Sequence, residues 1–481
     1  MTQTDRTQEW RDFLAQNPDL EAVQLFITDP SGVARGKTAS VSELERLYTN
    51  GRPVAGSILG LDITGTDVDA TGLVWDTGDA DLLCRPVPGT LMRAPWLARP
   101  TAQVMLSMYE LDGRTAPADP RHVLTRSIER LQAMGFKPVV AVELEFYVLD
   151  VEGSEPAGSL RRNEGRIEAY SLARLEELAP MFDEVYAAAR EQGIPVETLM
   201  SEYAPGQFEL TLAHRDDALR AVDEAILLKR LLRGIAAKHG KLVTFMAKPY
   251  ADLAGSGMHI HVSLAGVDGA NLFAADDPVG TPLLRHAIGG LKATMAESLL
   301  LFAPNGNSYR RFRSQSYAPI AASWGINNRS VSLRIPIGPA ASRHLEHRIA
   351  GADANPYLVV ATVLAGIERG TLQRLDPGPP VVGNGYAIAE AAVGEAGDQG
   401  GDGRRDCGGV RGGHLRERAR VRRKTGVDEI VGGAQRSGRR CVEQAGHGSR
   451  ASSADRASSP SARPDPRSPA RRGSGDRGRC R

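Results

Sequence analysis

Two glutamates lie two positions apart in an apolar stretch of the chain, PVVAVELEFYVLD. Alternate residues of a β-strand point to the same face, so Glu143 and Glu145 should share one side of a strand. Two like charges among apolar side chains are costly unless a cation neutralises them. The pair therefore suggests a metal site, with the solvated face of an edge strand as the alternative.

Two further segments carry candidate metal ligands. In SEYAPGQFE, Glu202 and Glu209 flank a Pro-Gly turn, for which an ordinary acidic loop is the alternative. In GSGMHIHVS, glycines precede a strand whose alternation places His259, His261 and Ser263 on one face. A lone histidine is usually structural, but this alternation suits a metal ligand beside groups that bind phosphate.

Arginines interrupt the apolar segments that follow, in NSYRR, NRSVSLRIP and HLEHR. The planar guanidinium group binds carboxylate and phosphate oxygens through two hydrogen bonds at once. In the last segment Glu346 and Arg348 share one strand face. Five carboxylates with one imidazole favour Mg²⁺ or Mn²⁺ over zinc, and two or more such ions beside arginines suit phosphoryl transfer. The sequence contains neither a Walker loop nor the set of kinase motifs.

Short strands and helices in irregular order must position these residues. Val23 to Thr28 form a predicted strand, and Asp119 caps a predicted helix that has Pro120 in its first turn. The other main predicted elements are strands at PVVAVELEFYVLD, GMHIHVSL and RSVSLRIPIG, and helices over residues 171–192, 216–239 and 355–368. Because strands do not alternate regularly with helices, we predict an α+β fold and not a doubly wound parallel sheet.

The overall composition is that of a globular protein, with 481 residues of which 41% are hydrophobic and 24% charged. No apolar run approaches the ~20 residues of a membrane span. The N-terminus, MTQTDRTQEWRDF, resembles neither a signal peptide nor a transit peptide. We therefore expect a cytoplasmic protein without a membrane partner. Four cysteines in so long a chain do not make a disulfide framework.

The last 81 residues have a different composition, with 20 Arg, one Lys, 15 Gly, one Leu and no aromatic residue. They carry a net charge of +12, against −11 for the first 400 residues. So little apolar surface cannot offset an ordering cost of ~1–2 kcal/mol per residue. We therefore predict that residues 396–481, the tail, are disordered. Because Arg, Gly, Ala and Pro have GC-rich codons, we hypothesise a frameshift between about residues 386 and 400.

Six motifs between about residues 20 and 385 resemble those of the glutamine synthetase superfamily, in the family's order. They are VELEF, SEYAPGQFEL, GSGMHIHVSL, NSYRR, WGINNRSVSLRIP and LEHRIAGADANPYL. The resemblance implies a β-grasp-like N-terminal domain over residues 1–110. It also implies a catalytic domain over residues 111–395, built on a curved antiparallel sheet. Subunits of the family form homo-oligomeric rings, dodecamers in relatives, with active sites between neighbours.

The same resemblance implies a set of site residues. It assigns two or more Mg²⁺ or Mn²⁺ ions to Glu143, Glu145, Glu202, Glu209, His259 and Glu346; ATP to Glu197, His261, Ser263, Arg329 and Arg334; glutamate to Gly255, Arg311 and Arg348; and catalytic roles to Asp29, Arg311 and Arg329. Asp29 would serve the amine pocket of a neighbouring subunit. The implied activity is ATP-dependent ligation of glutamate to an amine through γ-glutamyl phosphate.

Three departures from ammonia-using glutamine synthetases favour an amine or polyamine as the acceptor. Tyr317, in QSYAP, stands where those enzymes have a glutamate that covers the site and helps to deprotonate ammonium. Ala254 replaces a usual asparagine, and DPSGVARGK is similar to a motif of γ-glutamylpolyamine synthetases. A neutral aromatic ring attracts ammonium less than a carboxylate does, and it could line a wider acceptor pocket.

Two alternatives to an amine ligase stay open. One is an ammonia-using glutamine synthetase with the same fold. The other is a non-catalytic relative whose basic tail binds nucleic acid through counterion release. The intact ligand set argues against lost chemistry, and nucleic-acid-binding arms usually mix Lys with Arg. We therefore do not expect nucleic acid as a partner.

Overall fold

The computed structural model describes residues 3–150 and 167–388 of the chain. The predicted disorder and frameshift of the tail lie outside these residues. Two β-sheets organise the described part of the chain, one formed by strands up to Tyr109 and the other by strands from Lys137 onward. Within the described ranges, no helix combines the length and the apolar character needed to cross a membrane.

The first sheet has six strands and two accompanying helices. These elements are α1 (Gln3–Gln16), β1 (Ala22–Thr28), β2 (Ala34–Ser40), α2 (Glu43–Asn50), β3 (Arg52–Ala55), β4 (Asp81–Pro86), β5 (Met92–Arg93) and β6 (Thr101–Tyr109). The strand order is β2-β1-β6-β4-β3, with β5 also paired to β6. Strands β1 and β6 run parallel, and the other pairs are antiparallel.

Strand β1 confirms the predicted strand and is buried on both faces. Val23, Leu25 and Ile27 alternate into the core of the first sheet, whereas Phe26 packs into the core of the second. This explains why AVQLFIT is apolar at nearly every position, as is typical of a strand covered on both sides. The strand therefore links the two cores.

The second sheet has eight strands: β7 (Lys137–Asp150), β8 (Val196–Ser201), β9 (Gln207–Leu212), β10 (Lys241–Thr244), β11 (Met258–Ala265), β12 (Trp324–Ile326), β13 (Leu333–Ile335) and β14 (Leu345–His347). Their order is β12-β13-β14-β11-β7-β9-β8, with β10 on the remaining part of β7. The pairs of this sheet are antiparallel, as expected, except that β12 and β13 run parallel. Strands β12 and β13 have three residues each. The link over residues 327–332 is therefore long enough to carry the chain back, so that β13 runs in the same direction as β12.

Helices accompany the second sheet. They are α3 (Pro120–Ala133), α4 (Leu172–Glu177), α5 (Ala179–Glu191), α6 (Ala218–Lys238), α7 (Pro282–Phe302), α8 (Gly306–Tyr309) and α9 (Pro356–Gln373). Helices α3, α4, α5 and α6 contact its strands, whereas α7 and α9 pack against each other. The single helix predicted over 171–192 was wrong, because the chain breaks at Leu178, just before Pro180 starts the next helix. The strand predicted in RSVSLRIPIG is short because Pro336 cannot donate to a ladder.

Helix ends follow the polar residues that the sequence supplies. The Asp119 side chain accepts a hydrogen bond from the backbone N–H of Arg121, as expected for the predicted cap of α3. Asn355 caps α9 by accepting from the N–H groups of Tyr357 and Leu358. Nδ2 of Asn355 also donates to the carbonyl of Asp29 at 2.8 Å. This one side chain therefore caps the start of α9 and holds the turn between β1 and β2 of the first sheet.

Candidate active site

The register of the second sheet brings distant motifs side by side. Glu143 on β7 pairs with His259 on β11, and Glu145 pairs with Glu209 on β9. On the other side of β11, Glu346 of β14 lies opposite His261. Ligands separated by up to about two hundred residues thus occupy neighbouring positions because the strands pair in this register.

An acidic cluster forms around the ring of His259. Its Nδ1 donates to Oε1 of Glu143 at 2.5 Å and lies 3.7 Å from Oε1 of Glu346. Its Nε2 lies 3.7 Å from Oε1 of Glu145. One ligand atom from each of Glu143, Glu145, Glu209 and His259 falls within 4.8 Å of the others, as do atoms of Glu143, His261 and Glu346. Most of the predicted metal ligands are therefore brought together.

Glu202 lies at the edge of this cluster. It precedes the Pro-Gly turn between β8 and β9 and shares a hydrogen bond with Glu209. Burial and the charge of Glu145 raise the pKa of Glu202 to about 7. Burial, with the charges of Glu143 and Glu145, raises the pKa of Glu209 to about 12. Both carboxyl groups thus retain protons where no positive charge faces them.

Two other carboxyl groups of the cluster, those of Glu143 and Glu346, have lowered pKa values. Burial alone would raise the pKa of Glu143, but the rings of His259 and His261 hold the pKa well below its usual range. Burial likewise opposes ionisation of Glu346, yet Arg348 and the two histidines keep its pKa at about 2. The site therefore contains ionised and protonated carboxyl groups side by side.

This donor set fits divalent metal ions. Within the described residues, Nε2 of His259 is buried and has no hydrogen-bond partner, although it faces Glu145. A cation would satisfy this buried ring nitrogen and would replace the protons that Glu202 and Glu209 hold in the same cluster. The oxygen-rich composition suits Mg²⁺ or Mn²⁺ better than a softer ion.

Two of the predicted ligand-binding arginines pair with the same carboxylate. Arg334 donates to Oε2 of Glu346 at 2.8 Å, and Arg348 donates to its Oε1. Arg311 is buried and donates from Nη1 to the carbonyl of Ile349 at 2.8 Å. The fourth arginine, Arg329, is exposed on the link between β12 and β13 and forms no hydrogen bond or ion pair with the cluster among the described residues.

Two glycines let the Arg311 side chain approach β11. A β-carbon on Gly255 would lie 2.6 Å from the carbonyl oxygen of Ala247 and 2.8 Å from Cγ of Arg311. A β-carbon on Gly257 would lie 2.4 Å from Nη2 of Arg311 and 2.9 Å from Nε2 of His259. The predicted pair Gly255 and Arg311 is therefore in contact, as a shared glutamate-binding role requires.

Sequence reasoning missed Gly257 and Gln207 as site residues. The backbone N–H of Gly257 donates to Oε2 of Glu145 at 2.6 Å. Nε2 of Gln207 donates to the carbonyl of Gly255 at 3.0 Å and lies 3.5 Å from the same Glu145 oxygen. The spacing GSG was a signal for Gly257, whereas Gln207 became identifiable only once β9 was placed beside β7.

Three predicted site residues lie apart from the acidic cluster. Glu197 is exposed on β8 at a β-bulge, and Ser263 is buried further along β11. Asp29 is buried in the β1–β2 turn, where it accepts from the N–H of Val33 and from Nε of Arg35, both at 2.8 Å. Within this chain, Asp29 therefore faces its own turn and not the metal ligands.

Tyr317 stands at the solvent-exposed side of the site. Its side chain is 58% exposed, and its ring centroid lies 6.1 Å from that of Tyr203, the residue after Glu202. Its backbone φ of +57° is in the left-handed region, which few non-glycine residues adopt. The hydroxyl of Tyr386 donates to the carbonyl of the adjacent Ala318 at 3.2 Å. This hydrogen bond and the contact with Tyr203 thus fix the segment that carries Tyr317.

Residues 117–397 match the family described as the glutamine synthetase catalytic domain. The match spans more than half of the chain, so the chain belongs to the glutamine synthetase family. This confirms the superfamily inferred from the six motifs, and the second sheet is the core of a glutamine synthetase-type catalytic domain.

Among individual relatives, the chain is 42% identical over 390 residues to gamma-glutamylputrescine synthetase PuuA of Escherichia coli (strain K12), covering 79% of this chain and 82% of that protein. It is 34% identical to a glutamate–isopropylamine ligase of Pseudomonas sp., covering 79% and 84%. It is also 34% identical to gamma-glutamylethanolamide synthetase GlnA4 of Streptomyces coelicolor, covering 78% and 81%.

Two solved structures of a protein named GmaS are similar in fold to this chain. A structure of GmaS without ligand aligns with a TM-score of 0.72 at 26% identity, covering 90% of this chain and 94% of that one. A GmaS complex with ADP aligns with a TM-score of 0.69 at 27% identity, covering 79% and 85%. The fold that carries the acidic cluster is therefore shared with a protein that binds ADP.

Proposed function

We propose that this protein is an ATP-dependent γ-glutamyl–amine ligase, in which glutamate and an amine are joined through γ-glutamyl phosphate. The observation that carries the proposal is the cluster of carboxylates around His259, beside the buried Arg311 and Arg348. The three relatives named above, whose names specify putrescine, isopropylamine and ethanolamide products or substrates, support an amine acceptor.

The metal ligands divide into two sets in this proposal. Glu145, Glu202 and Glu209 hold one divalent ion, and Glu143, His259 and Glu346 hold the other. When bound, the ions neutralise charge on the phosphoryl group as it is transferred from ATP. Their ligands must be deprotonated, so binding expels the protons that Glu202 and Glu209 retain.

The remaining proposed roles concern the substrates. Gly255, Arg311 and Arg348 hold glutamate, since two buried guanidinium groups and a position without a side chain suit a compact dicarboxylate. ATP binding falls to Glu197, His261, Ser263, Arg329 and Arg334. The exposed side chain of Arg329 is available to a transferring phosphate.

The chemistry then has two balanced steps. The γ-carboxylate oxygen of glutamate attacks the γ-phosphorus of ATP, and ADP leaves. The amine nitrogen next attacks the γ-carbonyl carbon, loses a proton and expels inorganic phosphate. Water must be excluded between the steps, because it would hydrolyse the acyl phosphate.

The acceptor is proposed to be an alkyl amine or diamine. The rings of Tyr203 and Tyr317 form an apolar wall next to the acidic Glu202, a combination that suits an ammonium group with an alkyl chain.

The test is phosphate release with glutamate and Mg²⁺-ATP over a panel of amines that includes ammonia. A higher kcat/KM for putrescine than for ammonia is expected. If ammonia is the best acceptor, the chain is a glutamine synthetase, a function that relatives 30–32% identical to it bear.

We further propose a β-grasp fold for the N-terminal sheet. The domain boundary lies near residue 110, the catalytic domain ends near residue 395, and the tail follows it.

Subunits assemble into a ring in this proposal. Asp29 lies on the N-terminal sheet, away from the acidic cluster of its own chain, which supports its use in the amine pocket of a neighbour. Sedimentation and small-angle scattering of the purified protein test the assembly.

A further inference from the structure

Residues 245–256, the β10–β11 segment, connect β10 to β11 without helix or strand and end at the glycines of the proposed glutamate site. The two ends of the segment are tied together, because the N–H of Ser256 donates to the carbonyl of Ala247 at 2.9 Å. Between these ends, side chains from other elements bind carbonyl oxygens of the segment. Such bonds fix a stretch of backbone that no sheet ladder holds.

Two of these side chains come from the region that carries Arg311. Nη1 of Arg313 donates to the carbonyl of Ala251 at 2.7 Å. Asn307 on α8 makes two hydrogen bonds to the backbone of Lys248. It accepts from the N–H at 2.9 Å and donates from Nδ2 to the carbonyl at 2.8 Å. The β10–β11 segment is therefore fixed to the same short region as Arg311.

The third side chain, Tyr147, comes from the strand that carries two of the proposed metal ligands. It lies two positions after Glu145, on the same face of β7, and is completely buried. Its hydroxyl donates to the carbonyl of Ala254 at 2.6 Å. Its ring packs edge-on against that of Tyr250 in the segment, with centroids 5.7 Å apart. Tyr147 thus ties the segment to β7 at the residue before Gly255.

The hydrogen bond to Ala254 is important because Gly255 lies tightly against its neighbours. A β-carbon on Gly255 would lie 2.8 Å from Cγ of Arg311. Nε2 of Gln207 holds the carbonyl of Gly255 at 3.0 Å, whereas the Tyr147 hydroxyl holds the preceding peptide through the carbonyl of Ala254. Without that hydroxyl the peptide can rotate, and the gap between Gly255 and Arg311 changes.

We propose that Tyr147 is a positioning residue for glutamate. It acts through the peptide between Ala254 and Gly255, since its ring is buried and its hydroxyl proton is used in the bond to Ala254. The inference rests on the proposed function, in which Gly255 and Arg311 hold glutamate. It adds a residue outside the proposed metal, ATP and glutamate sets, and it predicts that the Tyr147 hydroxyl affects glutamate and not ATP.

Tyr147→Phe tests this role, because it removes the hydroxyl and keeps the buried ring. KM for glutamate should rise about 10-fold, whereas KM for Mg²⁺-ATP should change by less than about 2-fold, because the displaced peptide adjoins the glutamate site alone. Tyr186→Phe is the matched control and should leave both KM values unchanged. The partly buried Tyr186 hydroxyl on α5 forms no hydrogen bond within residues 3–150 and 167–388.

Hydrogen exchange and a second variant test the role of the segment itself. Amides of residues 248–256 should exchange faster in Tyr147→Phe than in the unaltered protein, and at the unaltered rate in Tyr186→Phe. Arg313→Gln loosens the same segment from an exposed side chain, so it should also speed exchange and raise KM for glutamate. Faster exchange with an unchanged KM in Arg313→Gln would overturn the link between the segment and glutamate.

Two kinetic results for Tyr147→Phe overturn the proposal. One is an unchanged KM for glutamate, and the other is an equal rise in both KM values, which a general loss of structure would produce. If the unaltered protein ligates glutamate to no amine, the proposed function fails, and the rise in thermal midpoint on adding glutamate then decides the role of Tyr147. A smaller rise in Tyr147→Phe supports that role, whereas an equal rise in both proteins, or none in either, overturns it.

Discussion

Arg311 reaches the proposed metal ligands across a position where only glycine fits. A β-carbon on Gly257 would lie 2.4 Å from Nη2 of Arg311, well inside van der Waals contact. The guanidinium group cannot simply move away, because it is buried and donates to the carbonyls of Ile349 and Arg348. Gly257 also donates its N–H to Glu145, so one residue sets the spacing between a proposed metal ligand and the arginine proposed to bind glutamate.

Gly257→Ala is therefore expected to impair binding of glutamate. The added methyl group must displace Arg311, and a shift of about 1 Å in a positioning group costs ~10–100-fold in rate. The measurement is kcat/KM for glutamate at saturating Mg²⁺-ATP and amine. Gly306→Ala is the control, since a β-carbon there meets nothing within 4 Å. Equal kinetic constants for both variants would contradict the close approach.

Glu209→Gln is expected to abolish ligation while sparing the fold of the metal-free protein. Because the pKa of Glu209 is raised to about 12, its carboxyl group is protonated at neutral pH, and a glutamine is close to it in shape and charge. Thermal unfolding should give a similar midpoint without metal and a much smaller rise on adding Mg²⁺. Glu297→Gln, at an exposed position, should keep both the activity and the Mg²⁺ response. Full turnover in Glu209→Gln would show that this carboxylate is not a metal ligand.

The raised pKa of Glu202 predicts that metal binding depends on pH. Glu202 has a folded-state pKa of about 7, above its usual 4.5, so the folded chain holds a proton that the unfolded chain has released. The contribution of Glu202 to the free energy of unfolding is fully present below pH 4.5 and is lost as the pH rises to about 7. Mg²⁺ displaces the proton, so its stabilisation of the fold should be larger at pH 8 than at pH 6.

Glu202→Gln provides the check on this assignment. The variant has no proton to release at position 202, so the difference in Mg²⁺ stabilisation between pH 6 and pH 8 should shrink. Differential scanning fluorimetry at both pH values, with and without Mg²⁺, measures it. A Mg²⁺ response that weakens with rising pH in the unaltered protein would reverse the predicted sign.

Tyr317→Glu is expected to shift acceptor preference toward ammonia. A carboxylate at this exposed position would attract ammonium and fill part of the space beside Tyr203 that an alkyl chain would occupy. The ratio of kcat/KM for putrescine to that for ammonia should therefore fall, and Tyr317→Phe should leave it nearly unchanged. If both variants keep the original ratio, Tyr317 does not line the acceptor pocket.

The sequence predicted those parts of the site that local pattern determines. Alternation in VELEF and MHIHVS placed ligands on strand faces, and Asp119 and Asn355 marked helix starts. Pairing between strands was beyond such patterns, because register depends on contacts between distant segments. For this reason the contacts of Tyr147 with Ala254, and of Gln207 with Gly255, became visible only in the fold.

The tail gives a prediction about the gene. Near the end of the described chain, Tyr386 is still packed, with its hydroxyl bonded to the carbonyl of Ala318. The last 81 residues then contain one Leu and no aromatic residue, the composition on which the frameshift hypothesis rests. Translation of an adjacent frame downstream of the Tyr386 codon should therefore yield an amphipathic sequence with leucines and aromatic residues. Resequencing of this region tests the hypothesis directly. A second test compares the thermal unfolding midpoint of the 481-residue chain with that of the chain in which the reading frame is restored, and the restored chain is expected to have the higher midpoint. If neither alternative frame encodes such a sequence, the basic tail is genuine, and its binding to nucleic acid should be measured over a range of salt concentrations.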